Sequence, residues 1–358
     1  RKSNVASSDE MRLIRFAFAV CCGAVLSPAF ADTADQRFTD LYQREWAWRL
    51  TQYPTMATSV GVHDNDDKLG HVDAKTQAQR LVALEGYKKE LAAIDPKELS
   101  AEQRTNYAIY GAQLDSSIDS IKLKAYLIPM TSDSSFYADL PMMADSHPFA
   151  TKTDYENYIK RMAAVPALFD EYTVLLKEGI RTGMTLPRVV LDGRDAPIRK
   201  VAELKDVTTS PFYAPFKKFP PSISADDGKT LTAEGERTIR TAIVPAYGKL
   251  LAFFTGEYIP KARKTLGAYS LPNGKAFYQS QIREYTTLDL SPEEIHKIGV
   301  SEVARIRAEM EKVKNDAKFD GDFAAFLKFL RTDPQFYAKT PRELLMHASY
   351  YAKRIDGM

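Results

Sequence analysis

Apolar side chains along this chain recur every three or four positions, and the runs begin at polar residues chemically suited to start helices. Tyr107, Leu114, Ile118 and Ile121 follow Ser100-Ala-Glu-Gln103; Tyr158, Met162 and Phe169 follow Thr153-Asp-Tyr-Glu156. Ile295, Ile298, Val303, Ile306, Met310 and Val313 follow Ser291-Pro-Glu-Glu294. In each lead-in, and in Thr340-Pro-Arg-Glu343, a hydroxyl stands three residues ahead of a carboxylate or amide, the spacing at which the two side chains satisfy free amides of a first helical turn. Pro292 and Pro341 occupy first helical positions, where the missing N–H removes no hydrogen bond. The periodicity also predicts helices over residues 35–52, 73–94, 195–205, 231–266 with a bend at Pro245, and 323–331. The stripes are expected to face a core.

Two-residue alternation is scarce. Pro187-Arg-Val-Val-Leu191 is the best strand candidate, in one short hairpin near Thr185 to Leu191. The predicted class is therefore all-α, a large multi-helix unit, and the absence of a fixed-period repeat argues against a solenoid. Two long irregular stretches interrupt it, Pro129 to Lys152 and Pro211 to Asp227, the second with Pro211, Pro215, Pro220 and Pro221. Each reads either as a functional loop or as a surface excursion.

Residues 11–31 stand apart from this pattern. Met11 is followed by Arg12 and Arg15, an apolar run from Phe16 to Leu26, and small residues at Ala29 and Ala31, the layout of a secretory signal peptide. Cleavage after Ala31, leaving Asp32 as the mature N-terminus, and a periplasmic or secreted location are expected, with no stable membrane insertion afterwards. The run is too short for a membrane span. Phe18 and Ala19 stand three residues before Cys21 and Cys22, where a lipid-attachment signal needs a Leu-like residue, so lipidation is not expected. Residues 1–10 precede Met11 and read as an upstream extension that is not native, which leaves 32–358 as the folded portion.

Removal of the signal takes four of the 49 basic and two of the 47 acidic residues, leaving 45 of each. A neutral chain lacks the basic surplus from which a nucleic-acid binder draws most of its affinity, and no nucleic-acid partner is expected. Both cysteines leave with the signal, so the mature chain has no disulfide and no thiol chemistry.

Familiar catalytic motifs are missing. None of His63, His71, His147, His296 and His347 lies in an H-E-x-x-H spacing, which would set two imidazoles on one helix face beside a carboxylate base. Glu293-x-x-His296 occurs once, whereas a dimetal bundle needs that unit twice with two further glutamates. His63-Asp-Asn-Asp-Asp67 has oxygen donors, but Lys68 falls at a ligand position and the turn glycine is absent, so it reads as a polar loop. No G-x-S-x-G elbow occurs, and Ser132, Asp133, Ser134 and Ser135 have no base partner. The chain itself is expected to hold no metal or cofactor.

Three longer blocks resemble a known family: Glu45-Trp-Ala-Trp-Arg49 continuing to His63, the Ser132 to Phe136 loop with Pro148 to Arg161, and Gly274 to His296 continuing through Glu302-Val-Ala-Arg-Ile306 to Glu309-Met310. They are similar to the bacterial secreted proteins of the domain-of-unknown-function 885 family, over essentially all of the mature chain. The resemblance implies a helical zinc metallopeptidase, carboxypeptidase-like, whose metal is held in a deep cleft by a His-Glu and His segment and a later glutamate. Those motifs are expected beyond Met358, so the resemblance implies an N-terminal portion, inactive alone, that supplies part of the wall holding a peptide substrate, with zinc belonging to the full-length protein. The alternative is a complete, non-catalytic helical module that binds peptides or a partner in the envelope.

Within the most family-like block, Tyr278, Arg283 and Tyr285 are the candidate substrate-binding residues. A guanidinium can grip a peptide C-terminal carboxylate in a bidentate fork. The structural alternatives are an ion pair of Arg283 with an acid such as Asp289, and core packing of the two tyrosines.

Overall fold

A computed structural model describes residues 33–358; the signal peptide, Ala31–Asp32 cleavage site and upstream extension expected from the sequence lie outside them. The described chain is all-α, and its only bridges are the isolated pairs Met130–Ser135 and Pro187–Arg263.

Three helices, Ala34–Gln52, Ala74–Ala92 and Ala101–Lys122, form an N-terminal layer around Phe38, Leu41, Leu84, Leu91 and Leu114. The larger core lies between the helix Lys152–Thr182 and a helical run from 225 to 261, with Ala196–Ala202 packed alongside. Tyr158, Met162, Phe169, Tyr247 and Phe254 meet there. Leu127, Leu175, Met184 and Leu271 form a third cluster.

Local chemistry fixes most helix starts. Ser100, Ser291 and Thr340 accept from the amides of Gln103, Glu294 and Glu343. Only Ser291 completes the reciprocal box, because Glu294 also accepts from the Ser291 amide. The box expected at Thr153 forms two residues earlier: Thr151 caps Lys152–Thr182, and Asp154 Oδ2 accepts from the amides of Ala150 and Thr151.

The run predicted over 231–266 covers 225–261 and is interrupted by π-turns at Ile239–Ile243 and Phe254–Tyr258. Each lies just ahead of a proline, Pro245 and Pro260. A ring without an N–H clashes with the carbonyl one turn back, and a widened turn relieves the clash without ending the helix.

The hairpin does not form. Arg188–Leu191 is a 3₁₀ turn, tied to the rest by the Arg188 amide donating to the Arg263 carbonyl at 2.7 Å. The proline-rich stretch is no surface excursion either: Pro211–Lys217 is a 3₁₀ segment that buries Phe212, Tyr213 and Phe216. The Phe216 ring lies so close to Gly235 that a Cβ there would meet it at 2.7 Å. The stretch from 129 to 152 holds short helical turns at Phe136–Asp139, Leu140–Met142 and Met143–Ser146.

The largest departure is in the last three helices, Pro292–Asp316, Phe323–Thr332 and Pro341–Asp356. The stripe predicted to face a core is exposed, with Ile298 at 51%, Val303 at 68% and Ile306 at 45%, and neither the first nor the third helix buries any residue. Phe323 and Phe326 are the exceptions, packed among Phe319 and the Arg307 guanidinium, which lies 3.9 Å from the Phe323 ring centre.

Candidate functional site

A cavity of about 1210 Å³ opens where the helices Ala34–Gln52, Ala101–Lys122 and Gly274–Thr286 meet. Its floor is apolar and aromatic, with Phe38, Tyr42, Trp46 and Met56, and the exposed Ile109 and Leu288 stand in its wall. Set into this floor are two polar groups that burial makes energetically conspicuous.

Glu45 follows Phe38 and Leu41 at helical spacing, so the periodicity that buries those two also buries a carboxylate; it is 3% exposed. A charge so placed needs a partner. Arg49, one turn on, supplies it: Nε donates to Glu45 Oε1 at 2.9 Å, and Nη2 lies 2.7 Å from the same oxygen.

Tyr110, on the facing helix, is 8% exposed, and its hydroxyl is buried without a hydrogen-bond partner. Leaving a buried hydroxyl unpaired costs about 1–3 kcal/mol. Burial, reinforced by the Glu45 charge, pushes the phenol well above its ordinary pKa, so it stays neutral and retains a proton to donate.

Arg283 reaches the cavity rim. Nη2 lies 3.2 Å from Asp119 Oδ2, with which it bonds, and Nη1 lies 3.6 Å from Asp289 Oδ1. The ion pairing with Asp289 anticipated from the sequence is therefore present, and a second acid joins it. Tyr278 and Tyr285, seven residues apart, do not line the cavity. Neither is core: Tyr278 is exposed and packs at a tilt against Tyr269 at 5.4 Å between ring centres, and Tyr285 is 80% exposed. The three residues singled out from one segment are thus not brought together.

Thr287 ends the last of the three helices at φ 59°, its amide donating to the Arg283 carbonyl at 2.9 Å. A β-branched residue resists this left-handed conformation. The turn it makes delivers Leu288 and Asp289 to the cavity wall. Counting lining side chains, Glu45, Asp115, Asp119, Glu284 and Asp289 face only Arg49 and Arg283. Lys88, outside the lining, holds Asp115 at 2.7 Å. The cavity keeps an acidic surplus.

His71, Asp73 and Glu171 are the group of imidazole and carboxylates close enough to share a cation among the described residues. All of their donor atoms except His71 Nε2 are engaged by the chain. Glu171 Oε1 is 2.7 Å from His71 Nδ1 and Oε2 accepts from the Val72 amide, while Asp73 caps Ala74–Ala92 through the amides of Lys75 and Thr76 and binds the Thr76 hydroxyl. The set does not fit the zinc implied by the family resemblance. Glu293 and His296 lie exposed on a first turn.

The loop at His63 to Asp67, read from the sequence as merely polar, turns inward. Asp66 is buried, accepting from the Thr58 hydroxyl at 2.5 Å with His63 Nδ1 at 2.9 Å. Above it sits the fully buried Arg161. Its Nε donates to the Lys68 carbonyl, Nη1 to His147 Nδ1, and Nη2 to Pro54, Thr58 and Asn65.

Fold and cavity together define an all-helical protein with an acid-rich cavity between helices. Residues 54–358 match the family described as "Bacterial protein of unknown function (DUF885)", and the chain belongs to that family. In fold it is similar to a solved protein, "The crystal structure of the putative lipoprotein from Colwellia psychrerythraea", with a TM-score of 0.76 at 18% sequence identity, over 91% of this chain and 60% of that one. The present chain thus spans about three fifths of the length of that protein. No curated protein matches it in sequence. No described helix is long and apolar enough to cross a membrane.

Proposed function

We propose that this chain is part of an exported, metallopeptidase-like protein and that its own contribution is to hold a peptide in the cavity bounded by Trp46, Tyr110 and Arg283. The observation that carries this reading is the cavity's composition. It joins an apolar, aromatic floor to many polar and charged side chains, a mixture that can hold a peptide's side chains and its backbone, and at about 1210 Å³ it exceeds the usual ~300–1,000 Å³ of drug-sized pockets and suits a longer ligand. The fold shared with a protein described as a putative lipoprotein supports export, and peptide as the ligand class follows from what the family resemblance implies. No bond-breaking step is assigned to this chain's residues. The exposed stripe on Pro292–Asp316 belongs with this reading: the greater length of the solved protein supports burial of that face against further chain in a full-length form.

Trp46 is a built-in reporter, since it lines the cavity and the chain has only one other tryptophan, Trp48. In a Trp48→Phe background, titration with an octapeptide should give a saturable change in Trp46 emission, and mass spectrometry should recover the peptide intact. A folded protein whose emission stays flat to millimolar peptide would refute the reading. Recovery of cleaved peptide would place chemistry on these residues.

A further inference from the structure

The segment between the helices Ala34–Gln52 and Ala74–Ala92 is held to the body largely by hydrogen bonds. Of residues 53–71, only Pro54, Ala57, Thr58 and Asp66 are buried. Two buried guanidiniums do the holding. Arg80 Nη2 donates to the carbonyls of Gln52 at 2.9 Å and His71 at 3.0 Å, which pins the two ends of the segment side by side. Arg161 grips what lies between, through Pro54 and Thr58 of the turn Pro54–Ser59 and through the carbonyls of Asn65 and Lys68. The segment is thus a strap with a fixed base, and its Met56 stands in the cavity floor.

His147 aims Arg161. Its Nε2 donates to the Asp154 carbonyl at 2.8 Å, which leaves Nδ1 without a proton and able to accept from Arg161 Nη1 at 3.2 Å. Only this neutral tautomer satisfies both neighbours. A proton added at Nδ1 sets two donors and two positive charges face to face, on a ring that is 5% exposed. The other groups around the ring do not relieve the conflict. Asp66 lies 3.7 Å from Arg161 Nη2 but is already occupied by the Thr58 hydroxyl and His63, and the Asp154 carboxylate is taken by the amides of Ala150 and Thr151. The rings of Phe149 and Tyr158, which flank the imidazole, bring no charge. His63 offers a contrast: bound to Asp66 through Nδ1, it keeps that bond as a donor whether neutral or charged. Burial first, and then the Arg161 charge, hold His147 below the ordinary imidazole pKa.

We propose that residues 54–68 form a strap released by acid: when His147 takes up a proton, Arg161 is pushed aside, its bonds to Pro54, Thr58, Asn65 and Lys68 fail together, and Met56 leaves the cavity floor while Arg80 keeps the base in place. The device needs no ligand and stands apart from the peptide-holding reading. Acid widens the cavity without unfolding the body.

The test follows amide protection factors, corrected for the intrinsic pH dependence of exchange, in the protein without ligand. Below about pH 6.5, where a free imidazole charges, protection in 54–68 should fall by up to about ten-fold per pH unit, and it should level off below the pH at which the His147 ring titrates by NMR. A His147 ring that titrates at about 6.5 or above overturns the proposal. Sub-denaturing urea separates release of the strap from global unfolding, because a local opening exposes little surface. Protection in 54–68 should be nearly insensitive to urea and that in 152–182 sensitive; equal sensitivity overturns the proposal. In the Trp48→Phe background, acrylamide quenching of Trp46 should rise over the same pH range, and constant quenching overturns the link to the cavity. His147→Gln should keep the strap protected at about pH 5, whereas His63→Gln should leave the wild-type response intact. Release of the strap in both variants alike overturns His147 as the trigger. The titration and urea readouts use the wild type and hold even where His147→Gln does not fold.

Discussion

The helices Lys152–Thr182 and Pro292–Asp316 are equally good amphipathic sequences, with complete capping boxes at Thr151 and Ser291, yet one buries ten of its residues and the other none. The difference lies in what surrounds them. The first is enclosed by the 225–261 run and by Phe212 and Phe216 of the proline-rich stretch; the second packs mainly against its immediate neighbour, Phe323–Thr332. Periodicity specifies that a helix has an apolar face. Whether the face is covered depends on chain elsewhere.

This contrast is sharpest under side-chain truncation. Phe254 is fully buried, its ring centre 5.5 Å from that of Tyr258 and 5.7 Å from that of Tyr137. Phe254→Ala should cost about 3–5 kcal/mol in urea unfolding, against no more than about 0.5 kcal/mol for Ile306→Ala. A cost above about 1.5 kcal/mol for Ile306→Ala would show that the stripe is packed in solution.

Acid should separate the regions next. Burial, the dominant cause, and the Arg161 charge lower the pKa of His147, whose Nε2 donates to the Asp154 carbonyl while Nδ1 accepts from Arg161. The folded protein therefore binds this proton less readily than the unfolded chain. Stability held at neutral pH should be lost as pH falls through about 6.5 toward the folded pKa, at up to about 1.4 kcal/mol per pH unit. Amide protection factors, exchange rates corrected for the intrinsic pH dependence, should fall in 152–182 over that window while those in 292–356 do not. His147→Gln, which offers the same donor and acceptor without titrating, should flatten the response, and an unchanged slope in that variant would remove His147 as its source.

The smallest effect concerns the turn between the regions. Thr287→Gly relieves a left-handed strain of about 1–2 kcal/mol, partly offset by glycine's greater freedom when unfolded, for a net gain near 0.5 kcal/mol. A loss of melting temperature would mean that the threonine side chain contributes more than its backbone costs.

Much of the architecture was legible in residue types. Ser100, Ser291 and Thr340 announced their helices because capping is a contest settled within four residues. Thr153 misled because Thr151 and Asp154 offered a competing cap two residues away, and no local rule ranks the two. The cavity was legible only in part. Arg283 reaches it, but Tyr278 and Tyr285 share its segment and not its direction. Glu45 and Arg49 gave a signal that could have been read: a carboxylate in line with Phe38 and Leu41, answered by a guanidinium one turn later. Tyr110 gave none, since an orphaned hydroxyl is a property of three-dimensional surroundings.

Arg161 carries a consequence for how the chain assembles. Four of its five hydrogen-bond partners, Pro54, Thr58, Asn65 and Lys68, lie 93 to 107 positions earlier in the sequence. Contacts closed over such separations form slowly, because the loop entropy must be spent before any bond repays it. This knot of hydrogen bonds is therefore expected late, after the folding barrier, so that substitutions at Arg161 should accelerate unfolding far more than they retard refolding. In that sense one buried guanidinium sets how long the segment from Pro54 to Lys68 stays latched to the central helix Lys152–Thr182 once it has closed.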